Sequence, residues 1–209
     1  MSSKVARRAL SITGAAVLTL VVALTPQAAF ADTPEPDAPE TVSETMPMTV
    51  AGYDAEVAEA NGFKLVTHAD GTQESVPVTD AAIAQRQQAD QLRATAQQDA
   101  SSPSGIVCGD SWASGTKIAN DTVAFSTGFL VYGAAHAHTW TVYAVGAITA
   151  NSWTTSGAGP ASGTKSWTGA IPSVIGPGVG GVPFASTSAS VILVDGTVCY
   201  SVGPTFLFG

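Results

Sequence analysis

Basic residues are scarce in this chain: eight Lys and Arg stand against sixteen Asp and Glu, for a net charge of −8. A protein so short of positive charge has no electrostatic footprint for nucleic acid or for anionic lipid, which excludes both as partners. Glutamate also stops early, the last being Glu74. The C-terminal half therefore has only Asp110, Asp121 and Asp195 with which to build the carboxyl pair that glycoside hydrolysis needs, and all three read as loop formers. No histidine follows His138, and only two cysteines exist, Cys108 and Cys199. Long apolar runs are missing too. The run from Gly14 to Leu24 is well under the roughly 20 residues of a membrane-spanning helix, and no second run anchors the C-terminus.

What stands around that apolar run is a three-part export signal. Lys4, Arg7 and Arg8 precede it, Pro26 breaks it, and Ala29-Phe30-Ala31 closes it with small residues at a cleavage site. Residues 1–31 are thus expected to be a signal peptide, leaving a secreted chain that starts at Asp32 and no longer touches the membrane. In layout and composition the chain resembles exported proteins of Gram-positive bacteria.

Charge divides the remainder. Residues 32–102 carry thirteen Asp and Glu against Lys64, Arg86 and Arg93, whereas residues 103–209 are nearly neutral. The Pro-, Thr- and Glu-rich segment 32–48 has too little apolar surface to offset the entropy of ordering, and reads as disordered. Over 49–78 the spacing predicts a short helix capped by Asp54 and stopped at Asn61-Gly62. A hairpin, Phe63–Thr67 with Gln73–Val78 around Asp70-Gly71, follows it. Residues 79–100 read as a polar spacer helix, because a seam of Ala82, Ala89 and Ala96 offers little burial. Ser101 to Gly105 marks a boundary.

The fold class expected for 103–209 is all-β, a small antiparallel sandwich or barrel. Seventeen of the 21 Gly lie beyond residue 104, and short β-rich runs alternate with turn signals at Ser114-Gly115, Asn120-Asp121 and Gly157 to Pro160. Asp195-Gly196 predicts a two-residue hairpin loop that pairs Val194 with Thr197, Leu193 with Val198 and Val191 with Tyr200. In an exported chain the two cysteines are expected to pair, Cys108 with Cys199, closing nearly the whole domain.

Two strings imitate catalytic motifs. Ile106 to Ser111, a strand ending in Gly-Asp-Ser, resembles the opening block of the GDSL/SGNH esterases over six residues. The Asp-x-x-His that supplies that family's base has no counterpart, and its helix-flanked sheet does not suit this β pattern. Ser114-Gly-Thr-Lys117 and Ser162-Gly-Thr-Lys165 match the Ser-x-x-Lys of penicillin-recognising enzymes, but both read as turns rather than helix starts.

Two groups of residues could serve a ligand. His136 and His138, at i and i+2 of a strand, would share a face and could hold a metal with His68 or an Asp as third ligand; the plain alternative is two exposed His at a strand start. Trp140 shares a face with Val142 and Ala144 and reads as core. Trp153 and Trp167, each between hydroxyl residues beside a Gly-rich turn, are candidates for stacking on sugar rings. The expectation is a secreted, non-catalytic binding or surface-interaction module for an extracellular ligand, a carbohydrate or a protein surface, without a cofactor. The alternatives are a metal-dependent enzyme using His136 and His138, or an antagonist or toxin released from a 32–102 pro-region.

Overall fold

A computed structural model describes residues 43–98 and 106–209. The signal expected over 1–31, residues 32–42 and the boundary at 101–105 lie outside them. The described residues belong to one unit, and none of their helices is long and apolar enough to cross a membrane.

The expected all-β class holds. Strands β4 (Val107–Ala119) and β5 (Thr122–Val131) pair antiparallel, β6 (Ala135–Gly146) follows elsewhere in the sheet, and over much of their length alternate residues are buried. That period of two puts Phe125, Phe129, Val131, Trp140, Val142 and Ala144 on one inner face. Then come β7 (Ala150–Ala158), β8 (Thr164–Pro172), β9 (Gly178–Gly181), β10 (Ala189–Leu193), β11 (Thr197–Ser201) and β12 (Thr205–Phe208). Ala113 to Lys117, read as a turn, continues β4; residues 150–156, left without an assignment, lie in β7, and Gly178 to Gly181 form β9.

The largest departure from the sequence reading is at the front of the chain. Residues 44–48, assigned to a disordered segment, begin strand β1 (Glu44–Tyr53), and β1 lies between β4 and β11 in the middle of the sheet. Its Met48 is fully buried, and the Glu44 carboxylate accepts from the Thr205 amide at 2.6 Å. Pairing on both edges supplies what the weakly apolar sequence does not. The ten-stranded sheet runs β12-β9-β6-β10-β11-β1-β4-β5-β8, with β7 on the other edge of β6. β10 and β9 share one edge of β6, opposite its residues 135–140 and 143–146 respectively. β12, β7 and β8 each have a single ladder partner, and β7 does not pair with β8, so the sheet is not a closed barrel.

The N-terminal elements follow the sequence closely. Helix α1 (Ala55–Ala60) is capped by the Asp54 carboxylate, which accepts from the Val57 amide at 3.1 Å. Gly62 follows at φ 80. β2 (Phe63–Thr67) and β3 (Gln73–Pro77) form a separate hairpin. Helix α2 (Asp80–Gln98) is not a solvated spacer, however. Its Ala82 is buried with Ala58 and Phe63 in a small second core. Arg86 donates to the Ser75 carbonyl and lies 3.6 Å from the Asp195 carboxylate. Small residues along the helix permit close approach rather than leaving it unattached.

Both Asp-Gly turns have three-residue loops. In the β2–β3 turn, Gly71 N–H donates to His68 O and Thr72 N–H to the Asp70 carboxylate, with Gly71 at φ 86. In the β10–β11 turn, Gly196 N–H donates to Leu193 O and Thr197 N–H to the Asp195 carboxylate, with Gly196 at φ 82. The extra loop residue shifts the expected β10–β11 register by one, so Val191 faces Cys199 and Ile192 faces Val198. Val191, Leu193, Cys199 and Ser201 are therefore buried together, while Ile192, Val198 and Tyr200 point outward.

The matched turns make a test. A Cβ at Gly71 meets nothing, whereas one at Gly196 runs into Asp54 O and the Ala58 methyl. Gly71→Ala is expected to cost the left-handed penalty alone, about 1–2 kcal/mol, and Gly196→Ala a further ~1–3 kcal/mol of overpacking. Urea unfolding of the pair reads the difference.

Candidate functional site

Around the gap between β7 and β8 gather three of the four Trp, together with Phe125, Phe129 and His138. Phe129 of β5 packs against Trp140 at 5.2 Å between ring centroids, against Trp167 at 5.9 Å and against His138 at 6.1 Å. Trp153 of β7 and Trp167 of β8 lie 6.0 Å apart across the gap between those strands, and Phe125 meets Trp153 at 5.3 Å. The sheet thus brings Trp153 and Trp167 together, but on its inner side, half-buried against the core. They fill the gap rather than form a flat outer platform. Side chains tie the gap at both ends: Asn151 Nδ2 donates to Pro172 O at 2.9 Å, and Lys165 Nζ to Ala158 O at 3.5 Å. Between those ties, β7 and β8 each present a strand edge without a ladder partner.

His136 and His138 do not share a face. Ala137 pairs with Ile192 and Ala135 with Leu193, so His136 is the extra residue of a bulge in β6. It is exposed, while His138 is only 4 % exposed. His68, the proposed third ligand, is exposed on the β2–β3 hairpin and bonds to Glu74 at 3.1 Å. Among the described residues no group of three or more potential metal ligands comes together.

His138 matters as a buried base. Neither ring nitrogen has a hydrogen-bond partner among the described residues. Burial, and then the positive charge of Lys165, push its pKa below the ordinary histidine value. The unfolded chain takes up this proton more readily than the native one. The stability His138 contributes is therefore complete above the ordinary value, about 6.5, and is lost as pH falls from there toward its lowered native pKa. The urea midpoint is expected to drop from about pH 7 to pH 5, and this part of the drop should vanish in His138→Phe. Asp110, whose carboxyl is raised by burial, is left unchanged in that variant.

The fourth tryptophan, which sequence reasoning passed over, is on the outer face. Trp112 of β4 pairs with Gly128 of β5, and a Cβ at Gly128 would run into the Trp112 indole. The ring lies over the glycine and is partly buried, in the same range as Trp153 and Trp167, but on the other side of the sheet. Cross-strand neighbours share a face. Around it stand Thr45 opposite in β1, Ser166 opposite Gly128, and Thr168 opposite Ser126. Thr45, Ser166 and Thr168 are exposed. Asp110, two residues along the strand, brings one carboxyl to this face, and the Tyr132 hydroxyl donates to it at 3.5 Å. The signal for Trp112 in the sequence was Gly128 itself, legible only once the β4–β5 register is known.

The imitated catalytic motifs come apart in the strands. Ser111 is buried and its hydroxyl bonds to the Ser201 hydroxyl at 2.8 Å, with Asp110 on the opposite face. Ser114 and Lys117 lie three residues apart in β4 and so point to opposite sides. The Lys117 ammonium is held by Val174 O at 2.9 Å and Gly176 O at 2.6 Å. Lys165 lies 5.6 Å from the Trp167 ring. Compared with protein families, with curated proteins and with solved structures, the chain matches none.

Proposed function

We propose that this chain is an extracellular, non-catalytic binding module for carbohydrate, with the outer face of β4, β5 and β8 as its binding surface. The observation that carries this reading is Trp112 lying over Gly128 among exposed hydroxyls. A partly exposed indole on the outer side of a rigid sheet offers an apolar plate to the C–H face of a sugar ring. Thr45, Ser166 and Thr168 offer donors and acceptors to its hydroxyls, and the Asp110 carboxylate can accept from two neighbouring hydroxyls at once. Nearly neutral surroundings suit an uncharged ligand. Extracellular location is supported by the Cys108–Cys199 disulfide and by the signal-like first 31 residues.

The test is retention on immobilised polysaccharides followed by calorimetry with the oligosaccharide retained. Trp112→Ala should weaken binding roughly tenfold or more, and Trp112→Phe should keep part of it. Absence of saccharide binding, or binding that Trp112→Ala leaves unchanged, would sink the proposal.

A protein surface is the second reading, favoured by the unpaired edges of β7 and β8, to which an extended partner segment could add as a strand. A partner whose retention Trp112→Ala spares would favour it. For the metal-dependent enzyme, no third ligand stands beside either histidine among the described residues. A released antagonist would have to give up β1 from the centre of its sheet.

A further inference from the structure

Of the residues gathered around Trp112 on the outer face, only Asp110 is charged. The two stand on the same side of β4, about 6.5 Å apart along the strand, roughly the width of a hexose ring. Pro47 of β1 and Leu130 of β5 lie opposite Asp110 on its two flanks, and both are half-buried. Tyr132 is buried, and its hydroxyl donates to the carboxylate at 3.5 Å. The carboxylate therefore reaches the surface between apolar and aromatic walls.

No cation answers it. Among the described residues the carboxylates in ion pairs are Glu74, Asp90 and Asp195, and Asp110 is in none. Residues 103–209 hold only two cations. Lys117 gives its ammonium to Val174 O and Gly176 O, and Lys165 to Ala158 O. Burial raises the Asp110 carboxyl above its ordinary value, and the Tyr132 bond lowers it by less. A positive charge brought to such a group offsets what burial costs it. A metal ion would find a single acidic ligand here. An ammonium group suits both neighbours at once, since it donates to a carboxylate in a charge-assisted bond and is attracted to the face of an indole.

We propose that the Trp112 face selects saccharides that carry a free amine, with the ammonium seated between the Asp110 carboxylate and the Trp112 ring. This inference rests on the carbohydrate reading and narrows it to the hexosamine class. The rest of the face is neutral, so the amine is the one charged feature asked of an otherwise uncharged ligand. The chain's net charge of −8 draws such a ligand in rather than repelling it.

Calorimetry of the full chain with a glucosamine tetrasaccharide and with its N-acetylated counterpart, at about pH 6 where an amine is protonated, tests the proposal. The free amine should bind roughly tenfold more tightly or better, and its advantage should shrink as salt is raised. Asp110→Asn keeps the shape and removes the charge, and should bring the two Kd values within about twofold of each other. Equal binding by the parent, or a preference that Asp110→Asn leaves in place, overturns the amine assignment while the carbohydrate reading stands. Retention of no saccharide at all overturns both. Trilysine carries ammonium groups without a sugar ring. If it binds the parent more tightly than the glucosamine tetrasaccharide does, the site belongs to a protein lysine and the saccharide assignment is overturned.

Discussion

A fragment beginning at residue 103 is expected not to fold, even though it contains nine of the ten strands of the main sheet and both cysteines. β1 supplies the missing centre. Its Met48 to Tyr53 pair with Ser201 to Thr197, and its Glu44 to Thr49 pair with Ala113 to Val107. Removing it leaves two facing rows of unpaired backbone, opens the core over Met48 and deprives Thr205 of the Glu44 carboxylate. Loss of a buried Met side chain alone costs about 2–5 kcal/mol, and a whole domain has only about 5–15 kcal/mol to lose. The fragment should therefore show collapsed amide dispersion and no cooperative unfolding, and a synthetic peptide covering residues 43–61 should restore both. Cooperative unfolding of the fragment alone would show that β1 is dispensable and would reopen the idea of a detachable front segment.

The second large effect concerns the bridge. Cys108 and Cys199 form a disulfide with a sequence separation of 91 and a Cα–Cα distance of 6.2 Å. They lie in β4 and β11, the two strands that flank β1. Closing a loop of that length in the unfolded chain corresponds to about 4–5 kcal/mol by chain entropy, and removal of native bridges costs about 2–5 kcal/mol. The double substitution of both cysteines by Ala is expected to lower stability by about 3 kcal/mol in urea. It should also steepen the denaturant dependence, because an unbridged chain exposes more surface when unfolded. A midpoint that falls with an unchanged slope would place the contribution in native packing instead, since both side chains are buried.

Much of this architecture was legible in the residues. Asp54 and Gly62 bracket α1 because capping and left-handed termination are local chemistry. The antiparallel strands, the β2–β3 hairpin and the pairing of the two cysteines were readable for similar reasons. What escaped depends on partners far away in sequence. β1 carries Pro47 and few large apolar residues, and only neighbours on both edges make it a strand. The Asp195-Gly196 turn was assigned the right place but one residue too few. Two- and three-residue loops share that dipeptide, and the difference inverts which side of the strand is buried. The His136 bulge has no marker in its own sequence. The position of α2 was hidden because alanine is weakly apolar as a stripe yet is suited to close approach. For the candidate site, Trp153 and Trp167 were singled out for one kind of ligand and His138 for another, and neither their meeting in one cluster nor their inward direction was visible. Trp112 could be recognised only through its glycine partner.

The placement of β1 also governs the order in which the molecule can be made. A ribosome releases this strand first, yet one of its ladder partners, β11, comes near the end of the chain. The central pairing cannot form until almost all of the polypeptide is available. Before that moment, the described residues of the front segment can complete α1, the β2–β3 hairpin and α2 among themselves. Folding dominated by such distant contacts is slow, on the order of milliseconds to seconds. The nascent chain must therefore keep an unpaired, Thr- and Met-containing strand soluble throughout synthesis, a task for which the excess of acidic residues around it is well suited.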